Sequence, residues 1–556
     1  MRVPLRQESP GRRLARAERP VDPDDHAGRV ATGDDLSRTL ANLSAWTVRR
    51  APSAWVPTRP SSSRTPRSPS SSLKSRSTPT GPRRTQQKHP DYASPMPTSS
   101  STLDPANIDA IFKAYDVRGT VPDQLDEDLA RATGHAFVEV IGAGTIVVGY
   151  DMRPTSPALA GAFAAGATAA GADVVMIGLA STDQLYFASG SLGHAGVMFT
   201  ASHNPAGYNG MKMCRAGATP IGTDTGLADI AASVARGGHR PAADVGSVTQ
   251  QDVLEAYAAH LLSLAPVTGR RLKVVIDAGN GMAGLTAPTV FGRLGEQQVE
   301  VVPMYFELDG TFPNHEANPI EPANLVDLQK RVIDEQADIG LAFDGDADRC
   351  FLVDERGEAV SPSTLTGLIA ARELAKEPGS TIIHNLITSR AVPELVAELG
   401  GTPVRTRVGH SYIKATMAET GAIFGGEHSG HFYFRDFWKA DSGMLAALHA
   451  LAALAETDVP LSELLAAYER YVVSGEINST VTDQASIVDD LEKQFAGADG
   501  VTADRLDGLT VSHDDWWFNV RPSNTEPLLR LNAEGRDRAT MQRVRDEILT
   551  IIRSAS

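Results

Sequence analysis

"GTIVVGYDMRPTSPALAGAFAAGATAAGADVVMIG", residues 144–178, decides the fold class. Residues 144–151 form a short apolar run rich in Val and Ile that ends on Gly, Tyr and Asp, and they predict a buried strand. Residues 156–172 are mostly Ala and Gly, which predicts a helix slim enough to pack closely. Residues 173–178 predict a second strand. Strand, helix, strand is the parallel α/β unit. The alternation returns at "LKVVIDAGNGMAG" (272–284), "ADIGLAFDGDADRCFLVD" (337–354) and "STIIHNLITS" (380–389), the last followed by an apolar helical stretch near 391–400. These similar segments predict three related α/β domains in tandem, over residues 101–250, 251–358 and 359–470. The remainder differs. Residues 500–535 read as strand, turn, strand, loop, strand, with a helix over 537–554, so 471–556 is expected to be a smaller α+β domain.

Composition limits the function classes. The 556 residues are 42% hydrophobic and 22% charged, ordinary for a globular protein. No apolar run of membrane-spanning length is present. Two cysteines, Cys214 and Cys350, cannot build a disulfide framework or a four-thiolate zinc site, and they suit a reducing, cytoplasmic setting. The net charge of −16 is uneven: residues 1–100 carry 18 Lys/Arg against 8 Asp/Glu, leaving −26 on the rest. The acidic body argues against nucleic acid as a partner. Residues 1–100, rich in Pro, Ser and Arg, have little to bury and are expected to be a disordered extension. Met96, where the composition becomes that of a folded protein, is the expected start of translation. Nothing in the sequence indicates an oligomeric state.

Three polar constellations carry candidate chemistry. The first is "FTASHNPAGYNG" (199–210), with Ser202 beside His203 in a turn of Asn, Pro and Gly. A hydrolytic serine is disfavoured: no G-x-S-x-G elbow surrounds Ser202, and a triad base normally comes from elsewhere in the fold. A phosphate-handling serine and a plain polar turn both stay open. The second is "FDGDADRC" (343–350), where Asp344, Asp346 and Asp348 alternate directly after a strand. Three such carboxylates suit a hard cation, Mg²⁺ or Ca²⁺. An EF-hand is excluded because Arg349 stands where that loop needs Gly. Arg349 beside the acids points to an anionic substrate, as in phosphoryl-transfer sites. The third combines "GGEHSGHF" (425–432), in which Glu427 and Ser429 suit sugar hydroxyls, with "RPSNTEPLLR" (521–530), in which Arg521, Ser523, Asn524 and Thr525 suit a phosphate. Four such loops in four successive domains suggest one central cleft.

Together, "TASHNP", "DGDADR", "GEHSGH" and "RPSNTEP", supported by "YDVRG" (115–119), "VGYDMR" (148–153) and "DAGNGMAG" (277–284), resemble the α-D-phosphohexomutase family across roughly residues 105–550. The resemblance implies four domains around a central cleft and an isomerase acting on hexose phosphates. It implies mannose 6-phosphate and mannose 1-phosphate as the substrate pair, with glucose phosphates or dual specificity as the alternative. A non-catalytic phosphosugar-binding protein is the reading from a different class, disfavoured by the intact serine, acids and arginine. Ser202 is implied as the catalytic phosphoserine. Mg²⁺ is implied on Asp344, Asp346 and Asp348 together with the Ser202 phosphate, and a hexose 1,6-bisphosphate as intermediate and activator. Arg118, His203, Lys212, Arg349 and His410 are implied around the reacting phosphoryl group, with Lys212 and His410 both open as the base. Glu427, Ser429 and His431 are implied at the sugar, and Arg521, Ser523, Asn524, Thr525 and Arg530 at the second phosphate. One position departs from the family pattern: Ile387 stands where related enzymes often carry Lys, which suggests broader use of glucose and mannose phosphates.

Overall fold

The computed structural model describes residues 101–495, 497–523 and 528–554, without the Ser101 and His410 side chains. The expected N-terminal extension, Asn524 and Thr525 lie outside the described residues. Four sheets follow one another along the chain. In the first, Asp173–Leu179, Thr145–Tyr150 and Ala195–Phe199 run parallel, and Tyr208–Arg215 then Val117–Thr120 continue the sheet antiparallel. In the second, Val299–Met304, Leu272–Asp277 and Ile339–Phe343 are parallel, followed by antiparallel Cys350–Val353 and Ala359–Val360. In the third, Thr402–Thr406, Thr381–Asn385 and Phe424–Gly426 are parallel, followed by antiparallel Phe432–Phe434 and Ala440–Asp441.

The three sheets thus repeat one order. A first strand lies between the second and the third, and a fourth turns back along the third. Related α/β domains in tandem, read from the sequence, are what the chain forms. The strand order reverses beside the first strand, and such folds place ligands off the strand ends there. The fourth sheet is wholly antiparallel, in the order Val472–Thr480, Leu528–Gly535, Trp516–Pro522, Leu509–His513 and Thr502–Asp504. The helices Gln484–Phe495 and Arg538–Ser554 bury their apolar stripes with it in a core of their own, completing the α+β unit.

Local sequence explains the packing. The Ala- and Gly-rich helix Ser156–Ala169 lies backbone to backbone on Glu127–Ile141: a Cβ on Gly166 would meet the Arg131 carbonyl oxygen at 1.9 Å. The helix Gly443–Ala455, "GMLAALHALAALA", is apolar on every side apart from His449 and is buried at every residue. It belongs to one continuous apolar core that also takes in Thr182–Leu192 of the first domain and the second sheet. The fourth domain meets the third through a small patch of Leu386, Ile387 and Trp517. Arg390 adds hydrogen bonds to the carbonyls of Asp514 at 2.7 Å and His513 at 3.0 Å.

Candidate active site

In each α/β domain one loop joins the third strand to its antiparallel partner. Residues 200–207 leave Ala195–Phe199, residues 344–349 leave Ile339–Phe343, and residues 427–431 leave Phe424–Gly426. These are the serine, acidic and sugar loops. The repeated topology delivers them from equivalent places in three sheets.

The serine loop is shaped by a buried arginine. Arg153 donates to the carbonyls of Ser202 at 3.0 Å, Asn204 at 2.6 Å, Pro205 at 2.8 Å and Tyr208 at 3.0 Å. Its own charge is met by Asp151 at 3.2 Å, and both side chains are fully buried. Ser202 takes a left-handed φ of 49°, rare for a residue with a side chain and found where surroundings enforce it. Its N–H donates to Thr200 Oγ1 at 2.9 Å. The acidic loop approaches so closely that a Cβ on Gly345 would lie 2.5 Å from the Ser202 carbonyl oxygen.

Ser202 and the acids meet across the boundary between the first two domains. The Ser202 hydroxyl donates to Asp344 Oδ2 at 2.7 Å. Arg349 Nη2 donates to Ser202 Oγ at 3.0 Å, and its Nε to Asp344 Oδ2 at 2.9 Å. Arg349 also contacts His203 Nδ1. That guanidinium, and then burial, hold His203 well below the usual imidazole range, so its ring is neutral. Lys212, on Tyr208–Arg215, donates to Asp346 Oδ2 at 2.8 Å and to Asp348 Oδ2. Burial alone lowers an ammonium, but the two acids more than offset it and hold Lys212 above the ordinary lysine range. Burial likewise raises a carboxyl, yet Lys212 and Thr182 hold Asp346 well below the usual carboxylate range. Arg118 pairs with Asp116 at 2.8 Å and donates to the Ala201 carbonyl at 3.0 Å, bracing the loop from its other side.

The acid cluster fits a metal ion. One carboxylate oxygen from each of Asp344, Asp346 and Asp348 lies within 4.8 Å of the others. Lys212 takes the Oδ2 atoms of Asp346 and Asp348, while their Oδ1 atoms are buried without a hydrogen-bond partner. Bare carboxylate oxygens in a ring of hard donors suit Mg²⁺.

The sugar loop adjoins this centre. His431 Nε2 lies 3.6 Å from Asp348 Oδ1, and Ser429 Oγ is 2.9 Å from His431 Nδ1. Glu427 is oriented by the Gly409 N–H at 3.1 Å and the Tyr433 hydroxyl at 2.7 Å. Burial first holds His428 below the usual imidazole range, with the charges of Glu476 and Arg521 as smaller causes. There, Arg521 and Arg530 face each other across a strand pair, and both contact Glu476, at 2.9 Å and 3.3 Å. The hairpin closes with Ser523 N–H donating to the Leu528 carbonyl at 2.8 Å. The structure therefore brings Ser202, His203, Arg118, Lys212, Arg349, the three acids, Glu427, Ser429 and His431 into one connected network.

Sequence reasoning missed three contributors. Arg153 lies in "YDMR", where a buried Arg after a strand-end Asp is a readable pair. Thr182, which donates to Asp346 Oδ2 at 2.6 Å, looks like ordinary helix-start chemistry. Glu476 lies in a half-exposed strand and carries no local mark. Ile387, read as a lost substrate contact, is 7% exposed and packs with Trp517 of the fourth domain.

Four consecutive family models match the chain. They are phosphoglucomutase/phosphomannomutase alpha/beta/alpha domain I at residues 109–240, domain II at 255–357, domain III at 362–471 and the C-terminal domain at 476–551. The chain is 43% identical over 451 residues to the phosphomannomutase of Salmonella montevideo, across 80% of this chain and 99% of that one. This chain belongs to the phosphoglucomutase/phosphomannomutase family. The α-D-phosphohexomutase resemblance is borne out, and with it the isomerase class. A Xanthomonas campestris pv. campestris relative named "Phosphohexose mutases" is 42% identical over 450 residues, across 80% of this chain and 99% of that one. The crystal structure of a family protein from Burkholderia thailandensis superposes with a TM-score of 0.73 at 36% identity, covering 80% of this chain and 97% of that one. Among the described residues no helix is long and apolar enough to cross a membrane.

Proposed function

We propose that this chain is a phosphomannomutase that interconverts mannose 6-phosphate and mannose 1-phosphate through a phosphoserine at Ser202. The observation that carries the reading is the junction of Ser202 Oγ with Asp344 and Arg349 across a domain boundary. The name and 43% identity of the Salmonella relative support the sugar.

Ser202 carries the phosphoryl group. The bond from phosphorus to Oγ breaks as a free hydroxyl of the bound hexose monophosphate attacks, and a new phosphoester forms on the sugar. The hydroxyl proton leaves to a base. The resulting hexose 1,6-bisphosphate turns over in the cleft and returns its other phosphoryl to Ser202 by the reverse step. Arg349, already on Ser202 Oγ, stabilises charge on the transferring group and the leaving oxygen. Asp344, Asp346 and Asp348 would hold Mg²⁺, which would supply positive charge to the transferring group when bound. Lys212, paired with Asp346 and Asp348, adds positive charge to this centre. Glu427 and Ser429 accept and donate at the sugar hydroxyls, with His431 supporting Ser429. Arg521 and Arg530, with Ser523, Asn524 and Thr525, grip the phosphate that is not reacting. Arg118 and Arg153 fix the loop so that Ser202 does not have to be ordered during the reaction.

Dual use of glucose phosphates is the second reading, favoured by the 42% identity to the relative named "Phosphohexose mutases". Mutase rates on mannose 1-phosphate and glucose 1-phosphate, measured side by side with Mg²⁺ and a trace of hexose 1,6-bisphosphate, test both. A mannose preference in kcat/KM supports the proposal; equal rates favour the dual enzyme; no activity on either sugar refutes both.

A further inference from the structure

The first domain holds a second cluster of metal-type donors that none of the serine, acidic or sugar loops uses. His135 and Glu139 lie one turn apart on the helix Glu127–Ile141, and so share a face. His239 follows the helix Leu227–Arg236, and its ring lies tilted against that of His135 with centroids 4.5 Å apart. One donor atom from each of His135, Glu139 and His239 lies within 4.8 Å of the others.

Two buried ring nitrogens in this cluster, His135 Nδ1 and His239 Nε2, have no hydrogen-bond partner. His135 is 9% exposed and the His239 side chain 6%. The surroundings fix the His135 tautomer. Its Nε2 is 3.0 Å from the Arg240 carbonyl oxygen, which can only accept, so the proton sits on Nε2 and the Nδ1 lone pair is bare. Glu139 is oriented in turn: Ser233 Oγ donates to its Oε2 at 2.8 Å and Arg236 Nη2 to its Oε1 at 2.7 Å. Oε2 lies 3.9 Å from His239 Nδ1. Two imidazoles and a carboxylate are donors that zinc sites use, and His135 and Glu139 each carry the kind of outer partner that steers such donors.

We propose that His135, Glu139 and His239 bind a zinc-type divalent transition ion, clasping the segment after Leu227–Arg236 onto the helix Glu127–Ile141. Donors around a tetrahedral zinc stand about 3.3 Å apart, so modest side-chain movement closes the site. Gly237 and Gly238, both at positive φ, leave the His239 segment free to make it. Imidazole donors disfavour Mg²⁺, so this site and the acidic loop take different ions. The half-exposed Glu139 leaves the remaining coordination position open to water.

The test is calorimetric titration of the full chain with Zn²⁺ in saturating Mg²⁺, which keeps the acidic loop filled. The expected result is a zinc site that His239→Ala weakens by more than about tenfold, the scale on which even outer partners act. Glu139→Gln should weaken it as well, Asp346→Asn should leave it intact, and His239→Ala should keep the Mg²⁺-supported mutase rate. Zn²⁺ should raise the Tm of the wild type and not that of His239→Ala. Zinc binding that survives both His239→Ala and Glu139→Gln, or a wild type that takes up no Zn²⁺, overturns the proposal.

Discussion

The centre around Ser202 and the arginine hairpin of the fourth domain both handle phosphate in this account, and they are built in opposite ways. At the centre, serine, acids and Arg349 are buried and bonded to one another across a domain boundary, inside a core shared by three domains. In the fourth domain, Arg521 and Arg530 are partly exposed, share Glu476 as counter-ion, and stand on a sheet with its own core. The reacting end is thus preassembled, whereas the arginines proposed to grip the distal phosphate start out paired with an internal carboxylate. A bisphosphate that must turn over needs a tight reacting end and a replaceable hold on the other.

The sharpest break of this contrast is at the serine. Ser202→Ala should remove mutase turnover altogether while the Tm stays within a degree or two of wild type, checked by activity and thermal denaturation; measurable steady-state turnover would show that the phosphoryl group travels by another route. Asp346→Asn comes next. Removing one acid from the cluster should lower kcat by roughly two to three orders of magnitude, the scale of a lost electrostatic contact to the transition state, and should raise the Mg²⁺ needed for half-maximal rate. Full activity in a chelator would contradict the metal assignment.

Arg521→Ala tests the other half. Loss of a charged hydrogen bond to phosphate is worth about 1.5–3 kcal/mol, so KM should rise roughly 10- to 150-fold with a smaller change in kcat. A fall in kcat at unchanged KM would move Arg521 into the reacting end. The smallest effect sharpens the comparison most. Glu476→Gln removes the competing carboxylate, and a partly exposed ion pair is worth about 0.2–1 kcal/mol, so KM should drop by a few-fold at most. A raised KM would mean that Glu476 organises the arginines rather than opposing substrate.

These two regions also differ in how far the sequence revealed them. The acidic loop was legible because it directly follows a short apolar strand, and buried parallel strands write themselves as runs of Val, Ile and Leu; the serine and sugar loops were legible as motifs of polar residues among Gly, Asn and Pro. Their equivalent placement was not legible, because the order of strands within a sheet is set by long-range pairing. The acids stand together in sequence, so their metal-type spacing could be read; the clamp of Arg153 on residues 202–208 could not, since it joins positions about fifty residues apart. "GMLAALHALAALA" reads as a buried helix, but what it bridges is a property of the fold. Glu476 was invisible for the same reason: its partners lie on strands that return beside it only in the folded sheet. Ile387 shows the converse hazard, a residue matched to a substrate-reading position that the fold packs against Trp517.

The most direct test of the central claim is to isolate the chain after incubation with hexose 1,6-bisphosphate, map its phosphate by mass spectrometry, and follow that phosphate in a single turnover with mannose 1-phosphate. The account predicts one phosphoryl group on Ser202 that passes to the sugar at a rate no slower than kcat. Full turnover with Ser202 unmodified, or a phosphate on Ser202 that stays in place while substrate is converted, would contradict it.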